Sequence, residues 1–260
     1  MKMVFVDKEK ADLLEELQSY LRGQLSREEY QALRGSTNPY ECLGKGPKAS
    51  PFMNRSALKL AELNYIFDFH SLAGNSNIGK ASHFRVLDVC GGPGGFIEYL
   101  LNNSCHTSSK LSVVGMTLLC GRDNSDCNWN TNVLQDYPDT AIHFINSDLS
   151  SSTPVHTTVA LRNVHLVNGS SENGIPGDIF VKANRTLLRR IVKEQLKDDS
   201  KVDLVTADGG FQSPHEVKML PLLLAQVLVM LPNLRLGGSF VLKLFSCHTV
   251  TLSFKTSLIA

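Results

Sequence analysis

The stretch that decides the fold is Phe84-Arg-Val-Leu-Asp-Val-Cys-Gly-Gly-Pro-Gly-Gly-Phe96. Phe84 to Val89 is a short apolar run, and four glycines within five residues follow Cys90. Gly94 to Asn102 then reads as a helix. A glycine turn between a strand and a helix lets a ligand approach the backbone and offers it the free amides of a helix start. The spacing is neither G-x-G-x-x-G nor a Walker loop, since no Lys-Ser/Thr pair follows. Alone, the turn is equally compatible with tight packing and no ligand.

Outward from this turn, strands and helices alternate. Ser112 to Leu118 reads as a strand, and Leu187, Leu188, Ile191, Val192 and Leu196 share one face of a helix. Val202 to Ala207 is a strand, the apolar run before Pro232 a helix, and Ser239 to Phe245 a strand. This order predicts an α/β fold, doubly wound around a mainly parallel sheet. Between about 119 and 176 Asn, Asp, Ser and Thr dominate, which predicts an irregular insertion with one possible strand at Ala141 to Ile145. Upstream, Leu13, Leu14, Leu17 and Leu21 recur at helical spacing, Ser26 and Glu29 form a capping box, and Gly35 fits a helix end. A third helix is expected over Arg55 to Phe67. The expected division is a helical extension with a basic loop over 1–50 and a catalytic domain over 51–260.

The 260 residues carry 26 Lys plus Arg against 25 Asp plus Glu, a net charge of +1. This excludes a histone-like polycation and leaves room for a local basic patch. From Arg34 to Lys59, five basic residues face one acid. The longest apolar run, Met219 to Leu231, is too short to span a bilayer, so no membrane partner is expected. The six cysteines contain no C-x-x-C pair, and neither a metal site nor a disulfide is expected.

The form D-x-x-G-x-P-G-G-F resembles the S-adenosylmethionine turn of the FtsJ-like ribose 2′-O-methyltransferases. Other stretches agree in order: Pro51-Phe-Met-Asn-Arg-Ser-Ala-Leu-Lys59, Gly115-Met-Thr-Leu118, Gly177-Asp-Ile179, Val205-Thr-Ala-Asp-Gly-Gly-Phe211 and Gly237-Gly-Ser-Phe-Val-Leu-Lys243. Arg34-Gly-Ser-Thr-Asn-Pro-Tyr-Glu41 resembles the basic segment of the branch acting on cap-1 of eukaryotic mRNA. The resemblance implies a Rossmann-like methyltransferase fold, S-adenosylmethionine as cofactor, capped mRNA as partner and the nucleus as location, with the cytoplasm also open. A ribosomal or transfer RNA substrate and a catalytically dead binding protein stay open as alternatives.

Family members carry a Lys-Asp-Lys-Glu set, and the resemblance assigns three of these roles to Lys59, Asp208 and Lys243. A ribose hydroxyl is a poor acid, so a base must take its proton, and Lys243 is the candidate. An ordinary Lys titrates at about 10.4, but burial and a second ammonium, here Lys59, would both favour its neutral form. Asp208 would orient the two. Read singly, Lys59 is also a plausible solvated helix lysine and Asp208 an ordinary turn aspartate. By the same resemblance Asn54, Cys90, Gly91, Gly92, Pro93, Gly94, Gly95 and Phe96 hold the cofactor, Asp178 and Ile179 border its adenine, and Arg34 contacts RNA. Asp148 is a rival to Asp178. Members of the family continue beyond the Lys243 strand with further strands and the Glu. Residues 245–260 do not resemble that segment, so a C-terminally truncated member without those strands and the fourth residue is expected.

Overall fold

The computed structural model describes residues 8–38, 40, 51–69, 83–106, 110–119, 128–146, 160–169, 176–196, 201–210 and 219–244. The expectations for Asp148, for the part of the basic loop over 41–50, and for residues 245–260 lie outside them. The chain forms two compact units, one of residues 1–50, 210–223 and 244–260, the other of 51–209 and 224–243.

In the first unit, α1 (Lys8–Gln24) and α2 (Arg27–Thr37) are helices. The capping box before α2 forms in both directions. The Ser26 N–H donates to Glu29 Oε2 at 2.9 Å, and the Glu29 N–H donates to Ser26 Oγ at 3.2 Å. Gly35 does not end α2, which continues to Thr37 and closes with the Ser36 and Thr37 hydroxyls on the Leu33 carbonyl.

The second unit begins with α3 (Arg55–Phe67), capped by Asn54, whose side chain accepts the Ser56 N–H. Then follow β1 (His83–Val89), α4 (Gly95–Cys105), β2 (Lys110–Met116), the short α5 (Thr131–Gln135), β3 (Thr140–Asn146), β4 (Arg162–Gly169), α6 (Lys182–Gln195) and β5 (Val202–Ala207). Helix α7 (Leu220–Asn233) leads into β6 (Leu234–Leu242). The six described strands form one sheet in the order β3-β4-β2-β1-β5-β6, every neighbouring pair parallel. Strands β1 and β5 are buried across almost their whole length, and both read as mainly apolar runs, broken by Arg85 and Asp88 in the first and by Asp203 and Thr206 in the second.

The segment 119–176 is not an irregular insertion throughout, because it supplies α5, β3 and β4. Strand β4 reads poorly as a strand because Arg162, Asn163, His165 and Asn168 interrupt it. Yet it lies inside the sheet, between β3 and β2. Its polar groups are satisfied from a distance. Buried Arg162 donates through Nε to Ser104 Oγ at 2.8 Å and through its terminal nitrogens to the Pro138 and Ser104 carbonyls. His165 stacks on His143 with ring centres 4.8 Å apart, and burial together with His143 pushes its imidazole down to about 4. Two element boundaries also shift: the last strand is Leu234–Leu242, which leaves Lys243 just beyond it, and Pro232 lies inside α7.

The core gathers Leu60 from α3, Phe84 and Val86 from β1, Ile97 and Leu101 from α4, and Leu166 from β4. From β1 the chain moves to β2 on one side and returns later to β5 on the other. The crevice outside the carboxyl ends of β1 and β5 is therefore the switch point where ligands bind in open α/β sheets.

Candidate active site

The turn after β1 is built around Asp88, which is fully buried. Thr206 Oγ1 donates to its Oδ1 at 2.7 Å, while Oδ2 has no hydrogen-bond partner among the described residues. A side chain on Gly91 would overlap this carboxyl, so the turn can cross Asp88 only with glycine there. Cys90 adopts φ 58°, and its N–H donates to the Met116 carbonyl at 2.8 Å, which ties the turn to the end of β2. Gly92 and Pro93 continue the turn, and Gly94, at φ 116°, precedes α4. A side chain on Gly95 would overlap Asn54 Oδ1. Asn54 thus caps α3 and touches the start of α4 at once. Phe96 packs into the core, 4% exposed.

Burial raises the Asp88 carboxyl to about 7, helped by nearby Asp208 and opposed by the Thr206 hydroxyl. In the unfolded chain an aspartate titrates at about 3.9. Between those values the folded state holds more protons than the unfolded one, so stability falls as pH rises from about 4 to 7. Asp88→Asn is expected to remove this slope, as read from urea unfolding at a series of pH values. An identical slope in wild type and variant would contradict it.

Three charged residues expected to act together do meet. Asp208, just beyond β5, bridges both lysines: Lys243 Nζ lies 2.8 Å from Oδ1 and Lys59 Nζ 3.3 Å from Oδ2. Lys243 Nζ also donates to the Asp208 carbonyl at 2.6 Å, and Ser56 Oγ to Oδ2 at 3.1 Å. Burial alone would raise the Asp208 carboxyl. The charges and hydrogen bonds of Lys243 and Lys59 outweigh it and hold the group below its ordinary value. Lys243 is not enclosed in an apolar strand, since its side chain is 31% exposed. Its N–H donates to the Ala207 carbonyl at 2.9 Å, which extends the pairing of β6 with β5 by one residue.

Asp178 and Ile179 reach the same end of the sheet from β4. The Leu119 N–H donates to the Pro176 carbonyl at 2.9 Å, and Gly177, at φ 76°, lies so close to the Thr117 carbonyl that a side chain has no room. Asp178 is half-buried, its Oδ1 accepting the Phe180 N–H at 2.8 Å, and Ile179 is buried. Arg34 lies in α2, in the other unit, with its side chain outside the described residues.

Three contributors were not singled out as site residues from the sequence. Ser56 donates to Asp208, as above. Buried Glu98 in α4 accepts the Met53 N–H at 2.8 Å and the Tyr137 hydroxyl at 3.5 Å, anchoring the approach to α3. Gln226 in α7, fully buried, accepts the Gly209 N–H at 3.0 Å. The peptide joining Asp208 to Gly209 is therefore held at both ends, its carbonyl by Lys243 and its N–H by Gln226. Gln226→Leu strands that buried N–H, and a cost of about 1–3 kcal/mol in unfolding free energy is expected. A change within a few tenths, measured in denaturant, would contradict it.

The turn has the properties a small polar ligand requires. Glycines 91 and 95 let the Asp88 and Asn54 side chains lie against the turn where a Cβ would collide, a helix begins directly behind them, and Asp88 keeps an unused buried acceptor beneath.

The family model of the FtsJ-like methyltransferases matches residues 52–176 and 168–258. The cap-specific mRNA (nucleoside-2′-O-)-methyltransferase 1 of Xenopus laevis is 29% identical over 241 residues, covering 87% of this chain and 24% of that protein. The human enzyme of the same name is 30% identical over 240 residues, covering 86% and 24%. An inactive cap-specific mRNA (nucleoside-2′-O-)-methyltransferase 1B of Caenorhabditis briggsae is 27% identical over 251 residues, covering 86% and 25%. The chain spans about a quarter of the length of these relatives. The match takes in the glycine turn, both lysines and the aspartate between them, and the chain belongs to the FtsJ-like methyltransferase family.

Proposed function

We propose that this chain transfers a methyl group from S-adenosylmethionine to the 2′-hydroxyl of an RNA ribose, and that the acceptor is the first transcribed nucleotide of capped mRNA. The observation that carries the reading is one carboxylate, Asp208, bridging two amines at the carboxyl ends of the sheet. In this reading Cys90 to Phe96 and Asn54 hold the methionine and ribose ends of the cofactor, and Asp178 and Ile179 border its base. A carboxylate can accept from an exocyclic amine there. When bound, the cofactor supplies an electrophilic methyl group on a sulfonium.

The chain's own task is to position the ribose and remove its proton. Lys59 holds the ribose oxygens through its ammonium. Lys243 takes the 2′-hydroxyl proton as the oxygen is methylated. Asp208 keeps the two amines in register, aided by Ser56 and by the Gln226 contact to the next peptide. Solvent later removes the proton from Lys243, so the protein returns unchanged and no covalent intermediate with it forms.

The names of the similar proteins and the segment from Arg34 to Glu41 support a cap substrate, and a nuclear location goes with it. No helix among the described residues is long and apolar enough to cross a membrane. The test is methyl transfer to one short RNA in capped and uncapped forms, followed by nucleotide analysis. Methylation of the first ribose on the capped form alone is expected. Equal transfer to both forms would overturn the cap assignment. Cofactor binding without transfer would overturn the catalytic reading and place the chain with its inactive relative.

A further inference from the structure

Helix α6 carries Lys182, Arg185, Arg189, Arg190 and Lys193 against a single acid, Glu194. That is five positive charges less one negative, or +4 on 14 residues of a chain whose net charge is +1. Asn184, Leu187, Leu188, Ile191 and Val192 are its buried face. Lys182, Arg189 and Lys193, at i, i+7 and i+11, fall in one line on the opposite side, all exposed. At 1.5 Å rise per residue the line is about 16 Å long. Arg190 lies 4.0 Å from Glu194, an exposed pair of little energetic consequence. Lys182, Arg189 and Lys193 have no acidic partner among the described residues.

Lys193 lies in the last turn, where a cation is favoured, but Lys182 at the start runs against the helix. The first turn holds no acid and Val181 provides no side-chain cap, while Lys182 sits at the positive end of the helix dipole. Such placement costs about 0.3–1 kcal/mol per charge. Glu194, followed in sequence by Asp198 and Asp199, lies toward the other end, where cations would be favoured. Local rules broken without a compensating contact mark functional surfaces.

The start of α6, which carries Lys182 and Arg185, is the end nearest the candidate site. Arg185 donates to the Ile179 carbonyl at 2.6 Å and the Phe180 carbonyl at 2.8 Å, locking the start of α6 to the segment after Asp178. The Pro176 carbonyl ties that segment to the residues after β2. The stripe therefore leads away from the carboxyl edge of the sheet along the outside of the second unit.

We propose that this outer face of α6 binds the phosphate backbone of the RNA substrate, holding the strand beyond the nucleotide that is methylated. This rests on the RNA reading above. A strand with regularly spaced negative charges fits a line of unpaired cations, and Arg and Lys on an exposed helix can reach successive phosphates without reading bases.

The experiment is fluorescence anisotropy of a labelled short capped RNA with the full chain, from about 50 to 200 mM salt, the range over which phosphate contacts declare themselves. The triple variant Lys182→Gln, Arg189→Gln, Lys193→Gln is compared with wild type, and the three corresponding changes to Glu form a second variant. Affinity of the Gln variant is expected to fall about tenfold or more, with a slope of log affinity against log salt shallower by roughly 2, near 0.7 per lost phosphate. The Glu variant should bind more weakly still. Calorimetric affinity for S-adenosylmethionine and the melting temperature should stay as in wild type. Wild-type affinity and slope in the folded Gln variant would overturn the surface alone. Failure of the unaltered chain to bind RNA would overturn the RNA reading with it. Binding of the unaltered chain to phosphatidylserine vesicles but not to RNA would overturn both in favour of a membrane surface.

Discussion

Lys243→Arg is expected to lose methyl transfer by about 10²–10⁴-fold, the usual contribution of a positioned general base. The geometry makes this substitution informative. Lys243 Nζ touches both the carboxylate and the carbonyl of Asp208. A guanidinium can keep the carboxylate contact, since its planar fork suits a carboxyl group. It cannot take a proton, because arginine stays charged at any working pH. The fold and cofactor affinity should survive while turnover does not. Lys243→Ala should also bind cofactor and fail to turn over, but it leaves Asp208 with Lys59 as its sole cation. Measuring kcat and KM for RNA separates the two roles: loss in kcat with KM held identifies proton removal, and a rise in KM alone would make Lys243 a binding group. Full transfer by Lys243→Arg would overturn the mechanism and leave the fold untouched.

Gly94→Val is expected to weaken S-adenosylmethionine binding about 10- to 100-fold in a chain that still folds. Gly94 holds φ 116°, a conformation open in practice to glycine only. A Cβ there would sit 3.2 Å from Leu134 Cδ1. That methyl can give way, but the backbone cannot without moving the turn. Strain of this kind is of order 1–3 kcal/mol. If the turn moves to relieve it, the cost appears as affinity, roughly 10- to 100-fold at 1.4 kcal/mol per decade. Branching at Cβ narrows the alternatives further. Gly94→Ala should show a smaller loss in the same direction. Calorimetry reads the affinity and a thermal melt reads the fold. Unchanged affinity in folded Gly94→Val would detach this turn from the cofactor.

The sheet and the charged trio were legible in sequence for different reasons. Strands β1 and β5 are buried across almost their whole length, so mainly apolar runs announce them. The expected limits of α3, Arg55 to Phe67, match because Asn54 is a strong cap and the apolar residues keep helical spacing. Lys59, Asp208 and Lys243 were found through motifs, and the helix and strand ends that carry them bring them together. Strand β4 was missed because its polar residues interrupt the apolar pattern, and the partners that let Arg162 be buried, Ser104 and Pro138, lie far along the chain with no local signature. Gln226 and Glu98 were missed likewise. Each is a polar residue within an apolar stretch of its helix, and its meaning lies in a backbone N–H supplied by another part of the chain. Gly35 misled because glycine permits a helix to end without requiring it, and the hydroxyls of Ser36 and Thr37 sustain one more turn.

The all-parallel sheet has a kinetic consequence. Parallel neighbours cannot be joined by hairpins, so every pairing waits for a crossover to form. Asp88 and Thr206 are separated by 118 residues, and Lys59 and Asp208 by 149. Contacts between such distant stretches slow folding, because chain entropy is lost before they reward it. The trio is complete only once α3, β5 and β6 have all docked. Recovery of activity after dilution from denaturant should therefore coincide with the slowest refolding phase, well after most helical signal has returned, and a partly folded chain will be silent rather than weakly active.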